Sequence, residues 1–273
     1  MSVSAETFGY VADLVRTHSA IQLAPGKEYL VESRLLPLAR ERGLTGPAAV
    51  DSYVRDVRRS SDRGEVTRVV EALTTNETSW FRDTSPFTAL RQHIGPAARA
   101  QNAGTLRIWS AACSTGQEPY SIAMTLLETG ERRFSVLATD LSTAVLAQAR
   151  SGQYSQLEMN RGLPAAMLVR YFERAGAGWG VKDELRRAIT FAQHNLLQPP
   201  PAGGPFDVVF LRNVLIYFDA ATKRDILSRT RRAMRPGAYL VLGAAESMVG
   251  IDDAWERVPT AQGSVYRVPG GIS

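Results

Sequence analysis

WSAACSTGQEPYSIA, Trp109 to Ala123, joins the end of an apolar strand to an amphipathic helix through a turn of small residues. A parallel sheet holds a nucleotide-like cofactor at its carboxyl edge through this kind of junction. The first strand is then Leu106 to Ala111, and the helix runs on through Ile122, Met124 and Leu127. Working downstream, Phe134 to Ala138 reads as the second strand and Ser142 to Arg150 as its helix. Ile189 to Ala192 is the third strand, and Phe206 to Leu211 the fourth, with a helix from Ala220 to Met234 behind it. Tyr239 to Gly243 is the fifth, and Val265 to Val268 a terminal strand paired antiparallel with one near Trp255. Such alternation predicts an α/β fold, a Rossmann-like sheet with helices on both faces.

Two stretches break the rhythm. Residues 152–187 are too long for a simple connection and place Gly176, Gly178 and Gly180 around Trp179, which predicts a small inserted β subdomain. The run from Pro199 to Pro205 is a surface loop. Upstream, Phe8, Val11, Leu14 and Val15 keep helical spacing, as do Val31, Leu35 and Leu38. Pro25-Gly26 and the stretch from Gly43 to Pro47 punctuate them, and further helices are expected at Val50 to Val57 and Val66 to Leu73. The expected organisation is a small all-α domain over residues 1–74, then a sheet domain over 75–273.

Composition narrows the function. Apolar residues at 44% suffice for a core, and no apolar run approaches the ~20 residues of a membrane span. No signal pattern opens the chain, so a cytoplasmic enzyme is expected. The net charge is +5, but residues 1–74 carry ten basic and ten acidic side chains. The excess is dispersed, as in Lys223, Arg224, Arg229, Arg231 and Arg232, without the aromatic-interleaved stripe of a nucleic-acid surface. A single cysteine and three scattered histidines argue against disulfides and metal catalysis. Cys113 has no base beside it and reads as a small buried residue.

The turn Ser114 to Pro119 holds one glycine, Gly116, where a pyrophosphate would need several. Asp140 ends the second strand twenty-four residues later, placed to accept hydrogen bonds from ribose hydroxyls. An Asp there also caps a following helix, and the sequence leaves both roles open. Asn195-Leu196 closes the third strand, where Asn can meet a base edge or simply make a turn. After the fourth strand, Arg212, Asn213 and Tyr217 are expected to face the central crevice, with Val214, Leu215 and Ile216 as packing.

TTNETSWFRD, Thr74 to Asp83, reads by itself as a polar linker with a helix cap. Taken with Trp109 to Ala123 and with Arg212 to Phe218, it resembles the chemotaxis receptor methyltransferases, the CheR family. The resemblance covers nearly the whole chain. It implies transfer of a methyl group from S-adenosylmethionine (SAM) to glutamate side chains of chemoreceptors, leaving S-adenosyl-L-homocysteine. SAM carries no phosphate but an ammonium and a carboxylate, which a looser turn bearing Glu118 suits. The resemblance places Asn76, Thr78, Arg82, Asn195, Leu196, Asn213 and Val214 on cofactor-binding positions, beside the Asp140 read from its spacing, with Trp80 and Phe81 walling the pocket. Arg82, Tyr217 and Arg212 are the candidate catalytic residues, the first two to hold the incoming carboxylate. Since a glutamate is ionised at pH 7, no general base is required.

The implied partners are the cytoplasmic domains of chemoreceptors, docked on the helical domain, with no membrane insertion and a monomeric enzyme. In the family a basic helix is implicated in docking, whereas here Lys27, Arg34, Arg40 and Arg42 alternate with Glu28, Glu32 and Glu41. The short loop from Gly176 to Gly180 points to an enzyme that does not grip a receptor tail peptide. Two other readings stand beside this one: a methyltransferase of another protein or a small molecule, and a non-catalytic SAM-binding interaction module.

Overall fold

A computed structural model describes residues 3–60, 62–261 and 263–270. The chain divides into two compact units, Met1–Thr75 with Tyr217–Asp219, and Asn76–Ile216 with Ala220–Ser273.

The first unit is built on α1 (Ala5–Ser19), α2 (Glu28–Glu41), α3 (Ala49–Ser60) and α4 (Arg63–Ala72). Ser4 caps α1 by accepting the Thr7 N–H, and Asp62 caps α4 by accepting that of Gly64. Val11, Val15, Val31, Leu35, Tyr53, Val57 and Val69 meet in its core. Part of the basic charge of α2 and its C-cap is engaged within the unit. Arg34 donates to the carbonyls of Ala72 and Thr74, and Arg42 pairs with the buried Glu65 at 3.0 Å.

The second unit opens with α5 (Ser85–Ala89), a π-helical turn (Leu90–Ile94) and α6 (Gly95–Gln101). The wider turn fits Pro96, which has no N–H to give a regular ladder. The strands that follow are β1 (Leu106–Ala111), β2 (Phe134–Asp140), β3 (Gln153–Tyr154), β4 (Phe172–Ala175), β5 (Gly178–Val181), β6 (Ile189–Gln193), β7 (Phe206–Leu211), β8 (Met234–Leu242), β9 (Glu256–Thr260) and β10 (Gly263–Arg267). Between them lie α7 (Gln117–Glu128), α8 (Thr143–Ser151), α9 (Gln156–Met159), α10 (Ala165–Tyr171), α11 (Asp183–Arg186) and α12 (Ala220–Arg232).

Seven strands form the main sheet in the order β6-β2-β1-β7-β8-β10-β9, parallel from β6 to β8. Every residue of β7 is buried, as a central parallel strand covered on both faces requires. β10 runs antiparallel to β8 and β9, as expected for the terminal strand. Residues 152–187 hold a separate sheet, β3-β5-β4, antiparallel throughout.

The fifth large strand differs from expectation. β8 begins at Met234, five residues upstream of the expected Tyr239, and runs through Pro236-Gly237. A register shift between Phe206 and Val208 on β7 absorbs the irregularity, with Gly237 at φ +79°. Gly243, read as its last residue, lies just past its end.

Candidate active site

The register aligns the carboxyl ends of the central strands. Gln193 lies opposite Asp140, Thr139 opposite Ala111, and Ala111 opposite Leu211. The loops leaving these ends therefore share one edge of the sheet. Six described non-glycine residues have positive φ, and five lie in loops of this edge: Phe81, Asp83, Ala112, Ser114 and Asn213. Backbone held in sparsely populated conformations collects at functional sites, because the surrounding contacts must over-determine it.

Asp140 fixes the first of these loops. Its Oδ2 accepts the Ser114 N–H at 2.8 Å, and its Oδ1 accepts the Ser142 N–H at 3.0 Å. The second contact closes a turn and is not the helix cap that the sequence allows, since Ser142 is the N-cap of α8; the first ties β2 to the loop after β1. Gly116 is required where it stands. At φ +97°, a Cβ would lie 2.9 Å from Tyr154 Oη and 3.0 Å from Ala149 Cβ.

Ser114 also reaches the loop of residues 76–83, since its Oγ donates to the Asn76 carbonyl at 2.7 Å. The inserted segment holds the same loop from its other side. The Trp80 N–H donates to the Arg161 carbonyl at 3.0 Å, and Arg161 pairs with Glu77 at 3.1 Å. A Cβ on Gly162 would come within 2.3 Å of the Trp80 carbonyl, so only glycine lets the chains approach. A cavity of about 200 Å³ lies here, lined by Asn76, Thr78, Thr115, Gln117 and Arg161 among others.

Trp80 does not wall a pocket as expected. It is buried in the core, edge-on to Tyr154 and Phe172 at 4.9 and 5.2 Å. Phe81 is partly exposed and stands edge-on to Phe87 at 5.2 Å. Arg82 is also partly exposed, its Nη1 donating to the Glu77 carbonyl at 2.9 Å.

Arg212, a candidate catalytic residue, is buried, its side chain 1% exposed. Nη1 donates to Glu118 at 2.9 Å; Nη2 donates to Asp83 at 3.0 Å and to the Arg82 carbonyl at 2.6 Å. The guanidinium thus ties the start of α7 to the Arg82 loop. Glu118 also accepts from Ser110 Oγ at 2.7 Å and keeps 12% of its side chain exposed.

Asn213 and Val214 follow in a segment that sequence reasoning left without a support. Glu246, in the loop after β8, accepts the N–H groups of Asn213, Val214 and Leu215 at 2.7, 3.0 and 2.8 Å, and that of Gly243 at 2.8 Å. The available signal was its place past the end of a parallel strand, where site groups collect. Asn195 Oδ1 accepts the Leu197 N–H at 3.0 Å, the turn its residue type allows. The preceding His194 N–H donates to the Asp140 carbonyl at 2.9 Å, which brings Asn195-Leu196 to the same edge. Tyr217 packs with the helical unit, its carbonyl accepting the Gln22 N–H at 3.3 Å.

Cys113 is buried, and burial pushes its thiol well up, away from nucleophilic use. Burial also lowers the pKa of His194. Among the described residues, no cluster of His, Cys, Asp and Glu has the makings of a metal site. The donor set fits SAM in kind: acidic Glu118 for an ammonium, Asp140 for a diol, and no glycine-rich nest for a pyrophosphate.

Comparison with known proteins agrees over both units. The family described as CheR methyltransferase, all-alpha domain, matches residues 6–74, and CheR methyltransferase, SAM binding domain, matches residues 76–263. Chemotaxis protein methyltransferase 1 of Pseudomonas aeruginosa is 41% identical over 98% of this chain and 99% of its own. The chemotaxis protein methyltransferase of Vibrio parahaemolyticus is 40% identical over 98% of each. Among solved structures, the N-methyltransferase NodS of Bradyrhizobium japonicum, in complex with S-adenosyl-L-homocysteine, gives a TM-score of 0.41 at 14% identity. That match covers 67% of this chain and 88% of NodS, too distant to carry weight. The strained loops on one sheet edge, their acidic supports and the full-length matches lead to one conclusion: the chain belongs to the CheR methyltransferase family.

Proposed function

We propose that the protein transfers the methyl group of SAM to glutamate side chains in the cytoplasmic domains of chemoreceptors, forming methyl esters for sensory adaptation. The observation that carries this reading is the network Asn76–Ser114–Asp140 beside Arg82–Arg212–Glu118, which supports the cofactor loops from both sides. SAM, when bound, supplies a methyl group on a sulfonium, an electrophile that an ionised carboxylate attacks without a base.

Asp140 takes the ribose hydroxyls, and Glu118 the ammonium of the methionine part. Asn76, Thr78, Asn195, Leu196, Asn213 and Val214 line the remainder. Arg82 and Tyr217 orient the acceptor carboxylate. A tight bidentate grip by Arg82 would stabilise the anion before reaction, so orientation is the productive role. Arg212 acts through Glu118 and the Arg82 loop as a positioning residue. Residues 1–74 supply the receptor-docking surface, and the enzyme works as a cytoplasmic monomer. No helix among the described residues is long and apolar enough to cross a membrane.

The test is incubation with methyl-labelled SAM and membranes containing cognate receptors. Label is expected in the receptor band. Binding of SAM with label appearing in no receptor would favour a different acceptor or a non-catalytic module.

A further inference from the structure

Glu246 is an acidic side chain with no place in the roles above, yet it accepts four backbone N–H groups at the sheet edge. Each oxygen receives two backbone N–H groups: Oε2 those of Asn213 and Gly243, Oε1 those of Val214 and Leu215. The last two donors stand at the start of the 3-10 turn Leu215–Tyr217, where N–H groups have no partner within the turn. Asn213 has φ +56°, so it turns the chain against its own steric preference. Gly243 completes the arrangement. A Cβ there would lie 2.7 Å from both Asn213 Nδ2 and Glu246 Oε2, and 2.9 Å from the Asn213 nitrogen.

The geometry points to Glu246 as a positioning residue for the cofactor: it sets the Asn213-Val214 backbone in its binding conformation without touching the cofactor itself. This rests on the proposed role of Asn213 and Val214. A carboxylate is the side chain that meets four converging donors with acceptors only. Glutamine in its place offers one acceptor oxygen and turns an NH2 group towards N–H groups. Two of the four bonds are then lost, and the segment is released from its strained form. Cofactor binding must then supply the ordering that Glu246 supplies in advance.

The experiment measures S-adenosyl-L-homocysteine affinity by calorimetry, and the KM for SAM and kcat with receptor membranes, in the full chain. Glu246→Gln is expected to weaken affinity at least tenfold and raise the KM for SAM in parallel. Saturating SAM should restore kcat to within about threefold, because ligand binding re-forms the segment. A purely structural role would move thermal stability and leave this split between KM and kcat absent. Folded Glu246→Gln with affinity within twofold of wild type overturns the proposal. If that variant does not fold, Gly243→Ala carries the same expectation, since its Cβ displaces the same carboxylate. Unchanged affinity there is equally contrary. Wild-type protein that binds neither SAM nor its product would instead count against the functional reading itself.

Discussion

The Ser114 backbone N–H donates to Asp140 Oδ2 at 2.8 Å, so a residue with positive φ in the loop after β1 is held by the last residue of β2. Asp140 is therefore a support of the cofactor loop as well as a candidate ribose acceptor. Asp140→Ala removes both. Charge-assisted hydrogen bonds are worth roughly 1.5–3 kcal/mol, so SAM affinity is expected to fall about ten- to a hundredfold. Calorimetry giving wild-type affinity in a folded variant would remove Asp140 from the site.

Arg212→Ala is expected to act on stability before it acts on chemistry. Its guanidinium is almost wholly buried between Glu118 and Asp83, and removing it leaves the Glu118 carboxylate, 12% exposed, without its cation. Breaking such a pair costs about 3–5 kcal/mol. Urea denaturation should show the loss. A variant of wild-type stability with impaired turnover alone would restore a direct catalytic contact.

The helical unit carries its own pH dependence. Burial raises the Glu65 pKa, but hydrogen bonds from Tyr53, Arg42 and Arg68 outweigh it and hold the carboxyl below its ordinary value. The folded pKa is thus below the unfolded one. Its stabilisation is present above about pH 4.3 and is lost as pH falls through the folded value. Glu65→Gln should therefore cost stability at neutral pH, with the gap to wild type narrowing in acid. A gap independent of pH contradicts the assignment.

Tyr217→Phe and Arg82→Ala separate orientation from binding. Both should slow single-turnover methylation more than they weaken SAM binding. Arg82→Ala is expected to show a mixed defect, because Arg82 is also a candidate cofactor contact. Loss of one hydrogen bond made in the transition state costs on the order of 2–4 kcal/mol. Full single-turnover rates in Tyr217→Phe would show that its hydroxyl takes no part.

What the sequence made legible follows from which forces are local. β1 and β7 begin and end as read, at Leu106–Ala111 and Phe206–Leu211, because a buried parallel strand is a continuous apolar run between polar breaks. β8 runs further upstream than the expected Tyr239 to Gly243, because pairing with β7 carries the strand back through Pro236-Gly237 to Met234. The resemblance implies Trp80 at a pocket wall, but its partners Tyr154 and Phe172 are more than seventy residues away in sequence, so its burial is not readable locally. Arg212 is legible as a site residue but its partners are not, and Glu246 is not legible at all, for the same reason. Their meaning lies in contacts to Glu118, Asp83 and the Asn213 segment, which only the sheet brings together.

The most direct test of methyl transfer to a glutamate is the chemistry of the bond formed. Receptors labelled by this enzyme from methyl-labelled SAM are treated with mild base, and volatile methanol is counted. The account predicts that the receptor-bound label is released as methanol, as carboxyl methyl esters require, and that Tyr217→Phe lowers its initial rate. Label that survives base, as on nitrogen or sulfur, would contradict it.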